Sequence, residues 1–251
     1  MARKSKEGLI ATPYLYETDV TYPDVGFDNR LNHRGLLRIL QEAAAIASDE
    51  RGYGLKDAPR TKVHWILSGW RAELVSAPAW REHLRVETWP RSMDGFFSER
   101  DFLVRQGEEL AARGTSKWIL VSTETGRLTR VTEEVRSAYD VEDRTLYSEP
   151  LPSNGVPAAD AAVTYETTAG RRDIDTNRHV NNIHYLDYAL EALPQAVFDR
   201  LPATVEVCFR RQILLGTPIR CLYSVTEGGR HQVEIQSGEE KITRHAFIWF
   251  Y

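Results

Sequence analysis

Asp173-Ile174-Asp175-Thr176-Asn177-Arg178-His179-Val180-Asn181-Asn182 lies in the later part of a 251-residue chain, and it has an earlier counterpart. At a constant offset of 149 residues stands Asp24-Val25-Gly26-Phe27-Asp28-Asn29-Arg30-Leu31-Asn32. Continuing without a gap, Gln41-Glu42 meets Leu190-Glu191. Each segment runs from a polar loop into a stretch with helical periodicity. The first stretch carries Leu36, Leu37, Leu40, Ala43, Ala44 and Ala47 on one face. The second carries Ile183, Leu186, Leu190 and Leu193, and Pro194 stops it. Asn181 or Asn182 is expected to cap the second helix, because its side-chain oxygen can accept an otherwise unpaired N–H.

A second repeat follows downstream at an offset of 131 residues. Gly107-Glu108-Glu109-Leu110 recurs as Gly238-Glu239-Glu240-Lys241, with Arg113 and Trp118 answered by Arg244 and Trp249. A Gly-Glu turn before an apolar run reads as a hairpin. After the first helix, strands are expected over 63–74, 84–89, 96–105 and 111–121. After the second they are expected over 204–214, 219–226, 232–236 and 242–251. β-Branched and aromatic residues fill many of these runs. The two offsets differ by 18 residues, which is extra chain in the first half. Each half therefore predicts a lead-in strand, one helix and a run of antiparallel strands. The fold class is α+β, and a helix wrapped by such a sheet, twice in tandem, is a double hotdog. The expected division is a first unit over 1–132, a linker over 133–162 holding Pro150, Pro152, Gly155 and Pro157, and a second unit over 163–251.

Composition excludes several classes. Hydrophobic residues are 42% and charged residues 27%, ordinary for a globular protein and far from collagen-like or disordered chains. A net charge of −4 argues against a nucleic-acid scaffold. Cys208 and Cys221 form no metal-type pair, and a reducing compartment is the simpler expectation, with one disulfide as the alternative. Met1-Ala2-Arg3-Lys4-Ser5-Lys6 is basic but lacks the apolar run of a signal peptide. No stretch is long enough to span a bilayer. A cytoplasmic protein without membrane or nucleic-acid partners is expected. No Gly-rich phosphate loop, zinc-ligand spacing or Gly-x-Ser-x-Gly elbow is present.

The repeat permits a test by difference. Asp175 aligns with Gly26, Asn177 with Asp28, and His179 with Arg30. A purely structural loop has no need of Asp, Asn and His together in one copy. Each alone has a bland reading, a helix cap or a solvated histidine; together they point to chemistry in the second half. Alternating along an extended segment, the three are expected to share one face. The helix start beside them, at Val180, Asn181 and Asn182, offers backbone N–H groups and positive dipole to an oxyanion. A carboxylate, an amide and an imidazole supply a base, an orienter and a further polar contact.

These residues resemble the signature of the acyl-ACP thioesterases, plant and bacterial enzymes that release fatty acids from acyl carrier protein. The resemblance rests on Asp175, Asn177, His179, Val180, Asn181, Asn182, Tyr185 and Leu190-Glu191. It is reinforced in the first half by Phe27-Asp28-Asn29-Arg30-Leu31, Glu87-Thr88-Trp89-Pro90, Glu99-Arg100-Asp101-Phe102 and Thr115-Ser116-Lys117-Trp118. It implies a double hotdog, hydrolysis of a long or medium acyl thioester, no metal or organic cofactor, and an acyl pocket shaped by the first half. The lack of a transit-peptide-like extension points to the bacterial branch.

The family's Asp, Asn and His fall on Asp175, Asn177 and His179. A further family position is a Glu in the next strand, and there this chain reads Phe209-Arg210-Arg211-Gln212-Ile213. Gln212 stands where the Glu is expected, and Ile213 where a nucleophilic Cys was once placed. A Gln can hold water but cannot take its proton. Asp175, directly or through His179, is then the expected base, with Gln212 positioning the water. Arg171, Arg172, Arg178, Arg210 and Arg211 are candidates for the phosphopantetheine phosphate or the acidic surface of acyl carrier protein, against the alternative of a solvated face. Trp65, Trp70, Trp80, Trp89 and Trp118 are expected mostly as core, and both cysteines as inert strand residues. Competing readings are an acyl-CoA thioesterase using the same site and a non-catalytic acyl-ACP binder in which Gln212 marks lost activity. A chain with two hotdogs already supplies the paired unit, so a monomer or a homodimer is expected.

Overall fold

The computed structural model describes residues 13–158 and 161–251, so the basic N-terminal hexapeptide lies outside the described residues. The strands are β1 (Tyr14–Asp19), β2 (Val63–Leu74), β3 (His83–Asp94), β4 (Phe97–Gln106) and β5 (Glu109–Ser122) in the first half. The second half holds β6 (Ala162–Thr168), β7 (Thr204–Phe209), β8 (Pro218–Val225), β9 (His231–Ser237) and β10 (Thr243–Phe250). They form one ten-stranded sheet in the order β1-β3-β4-β5-β2-β7-β10-β9-β8-β6. Every pairing is antiparallel. The order reads the same from either edge once each strand is replaced by its counterpart, which is the pattern a duplicated unit produces. The seam is the β2–β7 ladder, from Gly69↔Cys208 to Glu73↔Thr204.

Two helices lie against this sheet. Helix α1 (His33–Glu50) buries Leu36, Leu37, Ile39, Leu40, Ala43, Ala44 and Ala47, the stripe its periodicity predicts plus Ile39. Each large side chain buried this way contributes about 1.5–3 kcal/mol before conformational entropy is charged against it. Asn32 caps α1, its side chain accepting the Gly35 N–H. Gly35 is required there because a Cβ would lie 2.4 Å from the Asp24 carbonyl oxygen. Helix α2 (Asn182–Glu191) is capped by Asn181, which accepts the Ile183 N–H. It buries Tyr185, Leu186, Tyr188 and Ala189, and Leu193 is buried just past its end. One apolar core runs from α1 through both halves to α2.

The residues between the halves pack as a strap rather than as a free tether. A short helix, Glu133–Ala138, buries Val135, and Tyr139 follows it into a satellite core. Beyond that the chain crosses the outer face of the sheet over the seam. Arg71 donates to the Glu149 and Pro150 carbonyls, Arg210 to Ser153, and Gln232 to Val156. At Gly155 any side chain would overlap Phe247, since a Cβ would lie 2.1 Å from its ring.

Two strand expectations change. The strand expected over 204–214 ends at Phe209, and residues 210–214 leave the sheet. Gln212 is therefore on a loop, not a strand. The paired tryptophans of the 131-residue repeat also face opposite layers. Trp118 packs on the helix side, whereas Trp249 joins Cys208 and Phe247 on the other. The cause is turn length. Gln106 pairs with Glu109 across a two-residue turn, but Ser237 pairs with Thr243 across five residues, and the odd difference flips the phase. Among the other tryptophans, Trp70 and Trp89 are buried, Trp65 is half-buried, and Trp80 is exposed.

Candidate active site

The segment carrying Asp175, Asn177 and His179 is a tight turn, not the extended run expected from alternation. Ile174 bridges Val180, the Asp175 N–H donates to the His179 carbonyl at 2.9 Å, and the Arg178 N–H donates to the Asp175 carbonyl at 3.1 Å. Arg178 takes the left-handed conformation at φ 65° that closes the turn. The three side chains are gathered by curvature rather than by a shared strand face. Asp175 Oδ1 accepts the Asn177 N–H at 2.8 Å, and Asn177 Nδ2 lies 3.5 Å from Asp175 Oδ2. His179 Nδ1 lies 3.9 Å from Asp175 Oδ1. Asp175 and His179 are 21% and 29% exposed, partly shielded yet reachable, and Asn177 is exposed.

The base of the turn is rigid. Asp173 is buried and accepts the Gly170 N–H and the Tyr188 hydroxyl. Burial opposes its charge, but those two hydrogen bonds together with the charges of His184 and Arg172 outweigh it and hold the carboxyl below the usual aspartate range. Val180 N–H donates to the Ile213 carbonyl, and His179 bridges Leu214. Tyr185 of α2 ties down the same loop, accepting the Ile213 N–H and donating to the Arg211 carbonyl. Buried His245 supports it from beneath, its carbonyl accepting the Arg210 and Arg211 N–H groups. Gln212 thus rides, exposed, on a loop strapped to that turn.

The expected oxyanion donors fare unequally. Val180 N–H is taken by Ile213 and Asn181 N–H by the Asp173 carbonyl, at 2.9 and 2.8 Å. Ile183 N–H is capped by Asn181. Of the three expected positions, only Asn182 N–H has no partner among the described residues. The N-terminal end of α2 narrows to a single free amide.

All five candidate arginines are exposed. Arg172 lies 3.5 Å from Asp173, and the Arg210 guanidinium is held by the Ser153 carbonyl. Cys208 and Cys221 are buried, free thiols, and burial pushes the Cys221 thiol up to about 12, unsuited to nucleophilic work. Among the described residues, no cluster of three His, Cys, Asp or Glu side chains could hold a metal, and no helix is long and apolar enough to cross a membrane.

Two residues of the first half have side-chain environments that the sequence reading did not foresee. His64 of β2 is half-buried, and burial first, then the charge of His179, holds its imidazole below the usual histidine range. Nothing local marks it, for it is a lone histidine in an apolar strand. Arg100 of β4 is buried, and among the described residues its guanidinium makes one hydrogen bond, to Thr88 Oγ1, and no ion pair. Burial lowers it to about 10. It borders a cavity of about 10 Å³ between α1 and the sheet, room for one water.

The chain matches the acyl-ACP thioesterase N-terminal domain over residues 13–139 and the acyl-ACP thioesterase C-terminal domain over residues 158–249. It is 30% identical over 193 residues to oleoyl-acyl carrier protein thioesterase 2, chloroplastic, of Arabidopsis thaliana, covering 70% of this chain and 53% of that protein. It is 26% identical over 239 residues to the chloroplastic dodecanoyl-[acyl-carrier-protein] hydrolase of Cinnamomum camphora, covering 86% and 62%. The chain thus spans between half and two thirds of the length of these curated relatives. In fold it superposes on the 12:0-ACP thioesterase from Umbellularia californica with a TM-score of 0.81 at 22% identity, covering 97% of this chain and 98% of that one. An acyl-ACP thioesterase from Bacteroides thetaiotaomicron gives 0.81 at 21%, covering 94% and 97%. With both of its domains matched in order along one duplicated sheet, the chain belongs to the acyl-ACP thioesterase family.

Proposed function

We propose that this chain hydrolyses fatty acyl thioesters carried on acyl carrier protein, releasing free fatty acid. The observation that carries the reading is the match of both family domains, with Asp175, Asn177 and His179 kept together on the turn that leads into α2. In this reading Asp175, directly or through His179, draws the proton from an attacking water. Gln212 holds that water by hydrogen bonds, and the Asn182 N–H with the α2 N-terminus receives the carbonyl oxygen as it turns negative. Loss of one such donor typically costs about 10²–10³ in rate. Arg171, Arg172, Arg178, Arg210 and Arg211 form the basic rim toward the carrier, whose phosphopantetheine ends in a phosphate that arginine recognises well. Relatives named as oleoyl- and dodecanoyl-carrier-protein hydrolases support that substrate class. The buried free cysteines fit a reducing compartment, and we place the activity in the cytoplasm.

Gln212 favours a second reading, a binder that holds acyl-ACP without cleaving it. The decisive experiment measures free fatty acid release across an acyl-ACP length series, beside acyl-CoA of equal chain lengths. Release from acyl-ACP at the higher rate is expected. Faster release from acyl-CoA reassigns the carrier, and tight binding without release establishes the non-catalytic reading.

A further inference from the structure

The segment that follows the seam strand has the same backbone in both halves. After β2, the Val75 and Ser76 N–H groups both donate to the Ala111 carbonyl, at 2.9 and 3.0 Å. After β7, the Arg210 and Arg211 N–H groups both donate to the His245 carbonyl, at 2.8 and 3.2 Å. Further along, the Pro78 carbonyl accepts Leu31 N–H as the Ile213 carbonyl accepts Val180 N–H, so Gln212 answers Ala77. Ala111 and His245 each form a bulge. Leu110 and Ala112 pair with the adjacent residues Arg105 and Val104, and Arg244 and Ala246 with Gln236 and Ile235. The residue between is left unpaired, and its side chain is re-aimed. Because the turn after β9 is the longer one, His245 answers Gly114 in the letters of the repeat but Ala111 in space.

The side chains around this shared backbone differ. In the first half the loop is held from the turn, for Arg30 Nη1 donates to the Ala77 carbonyl at 2.8 Å, and Ala111 brings no polar group. In the second half the shorter His179 stands for Arg30, and His245 stands for Ala111. The His245 ring is buried between the loop and β9. Its Nδ1 lies 3.1 Å from the Arg211 carbonyl oxygen and its Nε2 2.8 Å from Ser237 Oγ. A carbonyl only accepts, so Nδ1 carries the proton and Nε2 accepts the Ser237 hydroxyl. Burial, against the pull of the Arg211 and Gln212 carbonyls, holds the ring below the usual histidine range and favours this neutral form. Tyr185 grips the same Arg211 carbonyl from α2. The hold on the loop thus passes from the turn to the sheet, which relieves His179 of the task that Arg30 performs.

We propose that His245 is a positioning residue, whose ring fixes the peptide just ahead of Gln212 so that the Gln212 amide is held toward the water that Asp175 and His179 activate. This role rests on the thioesterase reading. His245 acts through Gln212 and takes no proton in the reaction.

The test uses the whole chain and one acyl-ACP substrate that it hydrolyses. His245→Ala is expected to lower kcat about 10- to 100-fold with KM little changed, the scale set by a displaced positioning group. Ala111 shows that the bulge accommodates an alanine, and circular dichroism checks the variant's fold. His245→Asn returns an N–H near the place of Nδ1 and is expected to recover most of the loss. Ser237→Ala, which frees the far side of the ring, is expected to lower kcat less than His245→Ala does. The deciding measurement repeats His245→Ala in a Gln212→Ala background, where its effect on kcat is expected to shrink to about twofold or less, because residues that act through one another are not additive. The same fold-loss with and without Gln212, full kcat in His245→Ala, or full kcat in Gln212→Ala overturns the positioning role and leaves the thioesterase reading standing. No release of free acid by the wild type from any acyl thioester overturns both.

Discussion

The turn at 25–31 and the turn at 174–180 have nearly the same backbone and different chemistry. In the first, Gly26 N–H donates to the Arg30 carbonyl at 2.9 Å, Asn29 sits at φ 58°, and Leu31 N–H donates to the Pro78 carbonyl. In the second, Asp175, His179, Arg178 and Val180 repeat each role with the same geometry, Ile213 standing for Pro78. Asp28 caps the Arg30 N–H as Asp175 caps the Asn177 N–H. Beneath each turn is a buried aspartate, but Asp24 is clamped by Arg38 at 2.5 and 2.6 Å, whereas Asp173 is held by Tyr188. At the position aligned with Arg38 the second half has Asp187, bound by Arg34 and His184. A fold that uses this turn twice carries an imidazole in it only once, with Gly26, Asp28 and Arg30 standing opposite Asp175, Asn177 and His179. The side chains that differ are therefore the ones to read as chemistry.

The sharpest way to break the comparison is to change one turn and then the other. Asp175→Asn keeps an oxygen for the Asn177 N–H, so the turn survives, and hydrolysis is expected to fall by about 10²–10⁴. Asp28→Asn in the first half is expected to leave kcat unchanged. Circular dichroism and steady-state kinetics on both variants check the pair, and full activity in Asp175→Asn removes that residue from the mechanism.

Next in size is the seam. Glu206 is buried and accepts from Arg71 of the other half at 2.6 Å, with Arg230 a second partner. Removing one member of a buried pair strands the other charge, so Glu206→Ala is expected to cost about 3–5 kcal/mol. Urea unfolding checks it, and a single transition with a lowered midpoint is the outcome if both halves unfold together.

A smaller effect separates the two buried aspartates. Burial opposes the charge on Asp24, but Arg38 and Thr21 prevail and hold its pKa below the ordinary value. A depressed carboxylate contributes stability above its unfolded pKa, near 4, and loses it as pH falls through the folded value. Asp24→Asn is thus expected to be destabilised at pH 7 and nearly level with the wild type once both forms are neutral at low pH. Denaturant midpoints across that range check the sign.

Smallest is the effect expected on the basic rim. Reversing Arg171 and Arg172 to Glu should raise KM several-fold for acyl-ACP and less for a short soluble thioester. Equal effects on both substrates would sink the docking idea.

The repeat at offset 149 was legible because the turn and cap demand particular residues: Asn32 and Asn181 as caps, and aspartates in the loop. The repeat at offset 131 was legible in letters but not in facing, since the unequal turns after β4 and β9 set the phase of Trp118 and Trp249. The end of β7 was hidden because Ile213 and Leu214 continue the apolar pattern after the backbone has turned toward Tyr185. The three polar residues were legible as a group, though their geometry was not, since alternation reads as a strand whether or not the chain closes a turn.

The β2–β7 ladder has a consequence for how such a protein can change. Separated, each copy would present a long bare strand edge that fits its own kind as well as the other, so identical copies and mixed pairs would compete. Joining them in one polypeptide fixes the stoichiometry at one of each. Only under that constraint can a mutation such as the loss of a carboxylate fall on one copy without appearing twice in every assembled molecule. The fused seam is what lets the turns of the two copies carry different side chains.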